Sequence, residues 1–321
     1  MRVLVAGATG AVGHQLLPRL VSAGHSVVGL TRTPEKAAIV RALGAEPAVA
    51  DGLDSQSIHA AIASARPDVI VHEMTDLKGA SDLRKFDRAF ANTNRLRTVG
   101  TDNLIAAAKE VGVKRIVVQS FCGWPYARNG GSVKSEEEPL DPNPPQEYRR
   151  TLDAIKHVEA AVTGLSEPEG LVLRYGAFYG LDTGVLEPAV VEQIRRRRVP
   201  LIGSGNGWWS FLHLDDAAKA TALAVTEGKS GIYNIADDEP APVSEWLPAL
   251  AAMLGAKPPF RVPEWLARMI AGEHLVVMMT QARAGSNAKA KRELGWIPAH
   301  PSWRQGFAEI IEQEKRARQA A

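Results

Sequence analysis

The chain has 321 residues, 45% of them hydrophobic, which is enough for a large core in one larger domain and a smaller partner. Its formal net charge of +2 argues against a nucleic-acid partner, and the run Arg195 to Arg198 is typical of a solvated helix end. The single cysteine, Cys122, excludes an intramolecular disulfide framework. The first residues already read as a strand and not as a secretory signal, and no apolar stretch is long enough to span a membrane. We therefore expect a cytoplasmic protein.

The first 32 residues predict a strand, a glycine turn, a helix and a second strand. Glycines let the backbone approach a pyrophosphate closely, and a helix N-terminus offers unpaired N–H groups and a partial positive charge. An ordinary glycine-rich turn is the alternative. The position of the turn between strand and helix favours a diphosphate site, formed by Gly7, Thr9, Gly10, Ala11, Val12 and Gly13.

Two motifs near opposite ends of the chain carry a resemblance. The glycine turn has the spacing Gly-x-x-Gly-x-x-Gly, and Leu294-Gly295-Trp296-Ile297-Pro298 follows a predicted terminal helix. On these motifs the chain resembles the extended short-chain dehydrogenase/reductase family, of the NAD-dependent epimerase/dehydratase type. The resemblance implies an α/β fold, a Rossmann doubly wound parallel sheet with a smaller C-terminal substrate domain. The implied NADP-binding domain covers residues 1–175 and about 209–236, and the implied substrate-binding domain covers 176–208 and 237–321.

The end of the second strand predicts the cofactor. An acid there would accept hydrogen bonds from the ribose 2′-hydroxyl, whereas an arginine favours a 2′-phosphate. The chain has Thr31 and Arg32 at this point, Lys36 one turn later, and no acid before Glu35. We therefore expect NADP(H) to be favoured over NAD(H); the alternative is that Arg32 is only a solvated loop charge.

The resemblance implies further cofactor contacts at later strand ends. Asp51 would accept from the adenine amino group beside Leu53, and the alternative is a helix N-cap, which Asp54 could also supply. The other implied contacts are His72, Asn94, Gln119, Tyr175 and Phe178.

Asn94 lies in a single helix predicted over Phe90 to Lys109, with the family-like pattern Gly100-Thr101-x-Asn103-Leu104. The family often has an asparagine three residues before that glycine, where Arg97 stands here. Asn94, one turn earlier, could serve the same site only with a small shift of the helix, and a surface asparagine is the alternative.

The predicted catalytic region departs from the family pattern. The family usually has serines or threonines after the fifth strand and a Tyr-x-x-x-Lys pair on the next long helix. The tyrosine transfers a proton, and the lysine lowers its pKa and holds the nicotinamide ribose. Here only Ser120 remains of the polar run, and Lys156 has a leucine four residues before it. Alignment on Glu159 instead puts Thr151 and Ile155 at the pair.

We expect Lys156 to hold the ribose; a solvated helix lysine is the alternative. Tyr148 and Tyr126, together with Ser120, are the remaining candidates for proton transfer, and a tyrosine can serve only if the backbone brings it to the nicotinamide. The stretch from Arg128 to Glu147 is rich in Gly, Pro and acids and is predicted to be a flexible active-site loop.

Candidate substrate residues should converge beyond the C-terminal strand ends. The adjacent Trp208 and Trp209 cannot both face a pocket if they lie on a strand, so at least one is expected in the core. Aromatic and methionine content favours an apolar or ring-shaped small-molecule substrate. The candidates are Cys122, which could instead be inert packing, Trp124, Tyr179, Trp208, Met279 and Arg283.

Three functions remain open at this point. The first is an NADP(H)-dependent oxidoreductase acting on a carbonyl or alcohol of a hydrophobic or cyclic molecule. The second is an epimerase or dehydratase acting on a sugar-like substrate, and the third is a non-catalytic NADP(H)-sensing protein. The eight scattered histidines predict no metal site. Members of this family are often dimers, so a homodimer is left open.

Overall fold

Seven parallel strands form the main sheet. The structure is a computed structural model that describes residues 1–77 and 86–320, with side chains up to residue 317. The strands are β1 (Arg2–Ala6), β2 (Ser26–Thr31), β3 (Glu46–Val49), β4 (Val69–His72), β5 (Arg115–Phe121), β7 (Glu169–Tyr175) and β13 (Gly231–Ile235). Their order is β13-β7-β5-β4-β1-β2-β3, so the direction of winding reverses between β1 and β4. Ligands of doubly wound sheets bind in the crevice at such a point.

Helices cover both faces of this sheet. On one face α1 (Ala11–Ser22) packs against α9 (Leu214–Ala224), and on the other lie α3 (Ser55–Ala65), α6 (Thr101–Val111) and α7 (Arg149–Thr163). The strands between them are buried on both sides, which explains their continuous apolar runs.

The remaining helices are α2 (Ala37–Ala42), α4 (Phe86–Ala89), α5 (Ala91–Arg95), α8 (Pro188–Arg195), α10 (Val243–Met253), α11 (Glu264–Ala271), α12 (Glu273–Thr280), α13 (Ala288–Glu293) and α14 (Trp303–Ala320), with 3-10 turns at Pro34–Lys36 and Gln146–Tyr148. Short strands form small separate sheets: β6 (Val133–Lys134), β8 (Ala177–Gly180), β9 (Thr183–Gly184), β10 (Leu201–Ile202), β11 (Trp208–Trp209), β12 (Phe211–His213), β14 (Ala241–Pro242), β15 (Arg261–Val262) and β16 (Ala284–Gly285). No helix in the described ranges combines the length and apolar character that crossing a bilayer requires.

The single helix predicted from Phe90 to Lys109 is divided in the structure. A π-helical turn at Leu96–Gly100 separates α5 from α6. The turn buries Leu96, Arg97 and Gly100 together, whereas a regular helix presents a narrower stripe to the core. Such π-turns are rare and often mark functional positions.

A second apolar core lies outside the main sheet. Phe211, Trp246 and Trp303 are buried there, with the rings of Phe211 and Trp246 meeting edge to face at 5.5 Å. The chain returns from this part through α9 to β13, which pairs with β7. The two-domain boundaries given above stay a prediction.

Asp216 on α9 ties the C-terminal part to the sheet. This carboxylate is fully buried and accepts from the backbone N–H groups of Ala299 at 2.6 Å and His300 at 2.8 Å. His213, Asp216 and His300 offer ligand atoms within 4.8 Å of one another, but both Asp216 oxygens already accept backbone hydrogen bonds. We therefore interpret this cluster as structural.

Replacing Asp216 with alanine should destabilise the protein by about 3 kcal/mol, because two backbone N–H groups lose a fully buried charged acceptor. Chemical denaturation measures the change. Asp215→Ala is the matched control, since Asp215 lies one residue earlier on α9 and forms only a partly exposed ion pair with Arg19. Its expected cost is below about 1 kcal/mol, and equal effects of the two variants would contradict a tie through Asp216.

Candidate active site

The glycine turn between β1 and α1 has the shape that a phosphate site requires. Gly7 has a φ of +95°, and a Cβ there would lie 2.6 Å from the Glu73 backbone. A Cβ on Gly13 would lie 2.4 Å from the Gly7 carbonyl oxygen. Gly10 precedes α1 without a side-chain cap, and the first turn contains no acid. The free N–H groups and the positive helix end therefore fit a diphosphate. Of the other predicted residues, Thr9 is half-buried, Ala11 exposed and Val12 buried.

The expected adenine side lies at the end of β3. Asp51 accepts from the Leu53 N–H at 3.0 Å, while Asp54 accepts from Gln56 and Ser57 and is the N-cap of α3. Asp51 is exposed. Since Asp54 supplies the helix cap, the Asp51 carboxylate is not needed for that role and is available to a ligand. Asn103 of the Gly-Thr-x-Asn-Leu motif donates to the Gly52 carbonyl at 3.1 Å and thereby holds this loop.

β2 ends at the buried Thr31, and Arg32 then extends into solvent. Lys36 is half-buried in the 3-10 turn that follows. In the part of the chain that the structure describes, neither Arg32 nor Lys36 has a carboxylate partner within 4.0 Å. This edge of the crevice is therefore positive.

His72 is buried at the carboxyl end of β4, and its expected cofactor contact stays a prediction. Its Nδ1 accepts from the Met74 N–H at 3.1 Å, and its Nε2 lies 3.3 Å from the Leu96 carbonyl. Burial lowers the pKa of His72 to about 4, so the ring is neutral. Both ring nitrogens therefore hold protein backbone, which leaves the ring no free polar atom for a cofactor.

Glu73 is buried directly after β4. Tyr175 donates to its Oε1 at 2.7 Å and shares a 2.7 Å hydrogen bond with Thr221 of α9. Burial raises the pKa of Glu73 to about 8, so the group is a neutral acid at neutral pH. Strand register puts Gln119 beside Glu73, with its buried amide nitrogen unpartnered among the described residues, and the Phe178 ring lies 5.4 Å from Tyr175.

A buried ion pair supports the other face of the sheet. Glu159 of α7 accepts from Arg174 of β7 through both oxygens, each at 2.7 Å. Ser120 of β5 donates to the same carboxylate at 2.7 Å. The pair therefore fixes α7 against two strand ends at the crevice.

Two alignments of α7 with the family pair remain, and the one on Lys156 puts the buried Leu152 at the tyrosine position. When the chain is aligned on Glu159, these positions hold Thr151 and Ile155, both completely buried. Lys156 is half-buried and donates to the Asp141 carbonyl at 3.3 Å. Its ammonium group thus contacts the loop of residues 128–147, and its expected ribose contact stays a prediction.

The three hydroxyl groups proposed for proton transfer have different environments. Ser120 is engaged by Glu159, and Tyr126 donates to Asn234 at 2.7 Å while accepting from Arg174. Tyr148 is fully buried, and its hydroxyl has no hydrogen-bond partner within the described ranges. Burial raises the pKa of Tyr148 well above its usual value. Among these three hydroxyls, that of Tyr148 alone is not engaged.

Aromatic side chains gather at the start of α7. We call Phe86, Phe90, Trp124 and Tyr148 the aromatic cluster. Phe86 stacks on Phe90 at 4.3 Å between ring centroids, and Trp124 lies 4.6 Å from Tyr148. Met278 and Leu152 pack against these rings. The cluster provides an apolar wall beside the carboxyl end of β5.

The other candidate substrate residues divide between this wall and the second core. Tyr179 and Met279 are buried in the second core, Tyr179 against Phe307, so neither faces the crevice as expected. Cys122 is buried, and its pKa is raised to about 12, which fits inert packing. Trp208 and Trp209 are both half-buried, and Trp209 packs against Trp246 at the edge of the second core. Arg283 is half-buried and donates to backbone carbonyls of Gln281, Ala282 and Arg128.

Comparison with known proteins agrees with this geometry. The model of the family described as NAD dependent epimerase/dehydratase matches residues 3–236. The chain belongs to this family. Its members use a nicotinamide cofactor, and the chain is accordingly an NAD(P)-dependent oxidoreductase or epimerase.

Relatives and solved structures extend the likeness over the whole chain. A Streptomyces protein named 3-diazoavenalumate denitrifying reductase is 41% identical over 313 residues, covering 96% of this chain and 99% of the relative. A Stigmatella aurantiaca ketoreductase of a farnesyl dihydroquinoline oxide is 27% identical over 92% of each chain. The crystal structure of UDP-glucose 4-epimerase from Thermotoga maritima has a TM-score of 0.77 at 21% identity and covers 99% of both chains, which shows a common fold.

Within this family member, sequence reasoning missed the polar groups closest to the crevice. Glu73 directly follows an apolar strand. That position is the only feature of the sequence that indicates a residue near the crevice. Phe86 contributes to the apolar wall from a distant element, so no local pattern linked it to Trp124. Arg97 stands where the family often has an asparagine, but the sequence does not indicate that its side chain is buried. In the structure it is 5% exposed.

The buried acid predicts a pH-dependent stability. Between the unfolded-state pKa of about 4.5 and the folded-state pKa of about 8, folded Glu73 keeps a proton that the unfolded chain releases. The free energy of unfolding should therefore fall as pH rises through this window. Glu73→Gln stays neutral, so its melting temperature relative to wild type should rise by several degrees between pH 5 and pH 8.

Calorimetry at the two pH values measures this difference. Glu227→Gln is the control, since Glu227 is solvent-exposed and its substitution should show no such trend. A Glu73→Gln variant that is equally destabilised at both pH values would show that Glu73 is ionised in the folded protein.

Proposed function

We propose that the protein is an NADP(H)-dependent oxidoreductase that acts on a carbonyl or alcohol of a hydrophobic or cyclic small molecule, with carbonyl reduction as the direction tested below. The single observation that carries the cofactor preference is the edge after β2, where Arg32 directly follows the strand and no acid stands before Glu35. A guanidinium group binds a 2′-phosphate well, whereas an acid in its place would repel it. The hydride would come from the bound nucleotide.

The apolar wall supports the substrate class. Phe86, Phe90 and Trp124 surround Tyr148 beside the strand ends, and Met278 closes the wall from α12. Aromatic rings favour flat, apolar ligands, which they contact face to face or edge to face. A ketoreductase among the relatives is named for a farnesylated ring compound, in agreement with this class.

Proton supply separates carbonyl reduction from a second candidate reaction. A carbonyl oxygen must gain a proton as hydride arrives, and Tyr148 is the disengaged hydroxyl beside the wall. The second candidate is reduction of a diazo compound, favoured by Thr151 and Ile155 at the tyrosine and lysine positions and by the name of the Streptomyces relative. In that reaction the substrate reacts as an arenediazonium cation: hydride forms the C–H bond while the C–N bond breaks and N₂ leaves, so the carbon needs no proton from the protein.

An epimerase or dehydratase of a sugar-like substrate remains as an alternative and would not consume external NADPH. A non-catalytic NADP(H) sensor would bind the nucleotide without turnover. Both alternatives share the glycine turn with the proposal, so nucleotide binding alone does not distinguish them.

Nucleotide titration tests the cofactor preference. Wild type should bind NADPH more tightly than NADH, as followed by nicotinamide fluorescence. Arg32→Ala should weaken NADPH binding about tenfold and leave NADH unchanged, because one charge-assisted contact to phosphate is lost. Arg41→Ala on α2 is the control, since Arg41 is also exposed. Equal weakening of both nucleotides would contradict the 2′-phosphate contact.

Tyr148→Phe separates the two reactions. If a carbonyl is reduced, the variant should lose about 100-fold in kcat, the usual contribution of a positioned proton donor. If a diazo compound is reduced, kcat should not change and N₂ should be released in equal amount to the NADPH consumed. Purified protein is assayed with aromatic ketones and with aromatic diazo carboxylates, using NADPH labelled with deuterium at C4. Wild type that oxidises NADPH with neither substrate class would contradict both reactions.

A further inference from the structure

Arg97 is a buried cation whose side chain lacks a protein partner. It lies in the π-turn at Leu96–Gly100 and is 5% exposed. Within the described ranges its guanidinium makes no ion pair or hydrogen bond, and its Nε is enclosed without an acceptor. A buried charge of this kind is costly unless something compensates it.

The groups around Arg97 do not neutralise it. The positive charge of Arg97 contributes to lowering the pKa of His72 on β4, and the negative charge of Glu159 on α7 favours the charged form of Arg97. Glu159 is already bound through both oxygens by Arg174, and His72 is neutral. One carboxylate therefore faces two guanidinium groups, which leaves one positive charge in excess.

Asn94 supplies an unpartnered acceptor close to this donor. It precedes Arg97 by three residues, so the two side chains share one side of the helix. Asn94 donates through Nδ2 to Thr151 Oγ1 at 3.0 Å, and its enclosed Oδ1 accepts nothing from the described residues.

The orientation of this amide follows from its neighbours. Thr151 donates its hydroxyl proton to Asp87, at 2.7 Å, because a carboxylate can only accept. Its oxygen can therefore only accept from Asn94, which must turn Nδ2 toward it. Oδ1 is left facing away from Thr151 as a free acceptor.

We propose that Asn94 and Arg97 together bind the ribose hydroxyls of the nicotinamide half of the dinucleotide. A hydroxyl group both donates and accepts, so it satisfies the Asn94 oxygen and the Arg97 guanidinium at once. A carboxylate would satisfy Arg97 and leave Asn94 facing a second acceptor. Asn94 contacts Thr151 of α7, and the Leu96 carbonyl lies 3.3 Å from His72 at the end of β4, whereas Gly100 at the other end of the π-turn meets the adenine loop at Gly52. We therefore place the ribose on the α7 side of the turn.

This inference rests on the proposed function, since it assumes a bound dinucleotide. It assigns to Arg97 a contact with the ribose, for which Lys156 is the other candidate. Lys156 contacts the Asp141 carbonyl, and the neighbouring Ile155 is apolar. In this chain the positive charge on the ribose side would thus come from the π-turn before α6 and not from α7.

Titration of the full-length protein with nucleotide fragments tests the contact. Arg97→Met should weaken both NADPH and NADH by about 10- to 100-fold, the effect of losing a hydrogen bond to a charged group. It should weaken reduced nicotinamide mononucleotide and leave 2′,5′-ADP unchanged. The ligand-free variant should melt no lower than wild type, because an uncompensated buried charge has been removed.

Three variants complete the design. Arg97→Lys keeps the charge without the guanidinium fork and should bind with intermediate affinity, which preserves the test if methionine prevents folding. Asn94→Ala should weaken the same ligands as Arg97→Met. Arg95→Met, at an exposed position on α5, is the matched control and should bind as wild type does.

Each outcome bears on a distinct statement. Three results for Arg97→Met would overturn the ribose contact and leave the proposed function standing. They are an unchanged affinity for NADPH, an equal loss of 2′,5′-ADP binding, and a rise in substrate KM without a change in nucleotide affinity. A lower melting temperature of the ligand-free Arg97→Met protein would assign Arg97 a structural role. Wild type that binds neither nucleotide overturns the proposed function itself.

Discussion

The ion pair between Glu159 and Arg174 is the constraint on which the candidate site depends. A buried pair gains little net stability over apolar packing, but removal of either partner leaves an uncompensated charge and is strongly destabilising. Here the carboxylate also accepts from Ser120, and Arg174 reaches Tyr126, which donates to Asn234. Helix α7 is therefore held in one position relative to β5, β7 and β13. That position decides which α7 side chains reach the crevice.

The two faces of the sheet carry different electrostatics at the crevice. On the face covered by α1 and α9, Glu73 is a neutral acid bonded to Tyr175, so it adds no negative charge beside the diphosphate site. On the face covered by α7, Arg97 leaves a net positive charge close to Glu159. A dinucleotide carries its negative charge along the crevice between these faces. Neutralising the acid and keeping the cation both favour its binding.

The sequence was most informative where local chemistry alone determines structure. The glycine turn and the N-cap at Asp54 depend on neighbouring residues, and both follow from spacing. The π-turn could not be predicted, because it depends on contacts between distant parts of the chain. Leu96 and Gly100 pack against Met74 and Gly52, which belong to other elements. Tyr179 and Met279 follow pocket-like segments, yet their side chains point into the second core. Patterns along one segment do not reveal which face another segment covers.

The proposed chemistry depends on which α7 residues occupy the positions of the family tyrosine and lysine. The glycine turn and the strand ends position a nucleotide whatever the substrate is, so hydride delivery is a property of the fold. In the family pattern proton delivery belongs to the helix that corresponds to α7, and alignment on Glu159 puts Thr151 and Ile155 at the two positions concerned. An apolar residue beside the nicotinamide site excludes water, which strengthens every remaining electrostatic contact and removes solvent as a proton source. Under the proposed function, a site of this kind favours substrates that lose a leaving group as they accept hydride, or carbonyl compounds that take their proton from the unpartnered hydroxyl of Tyr148.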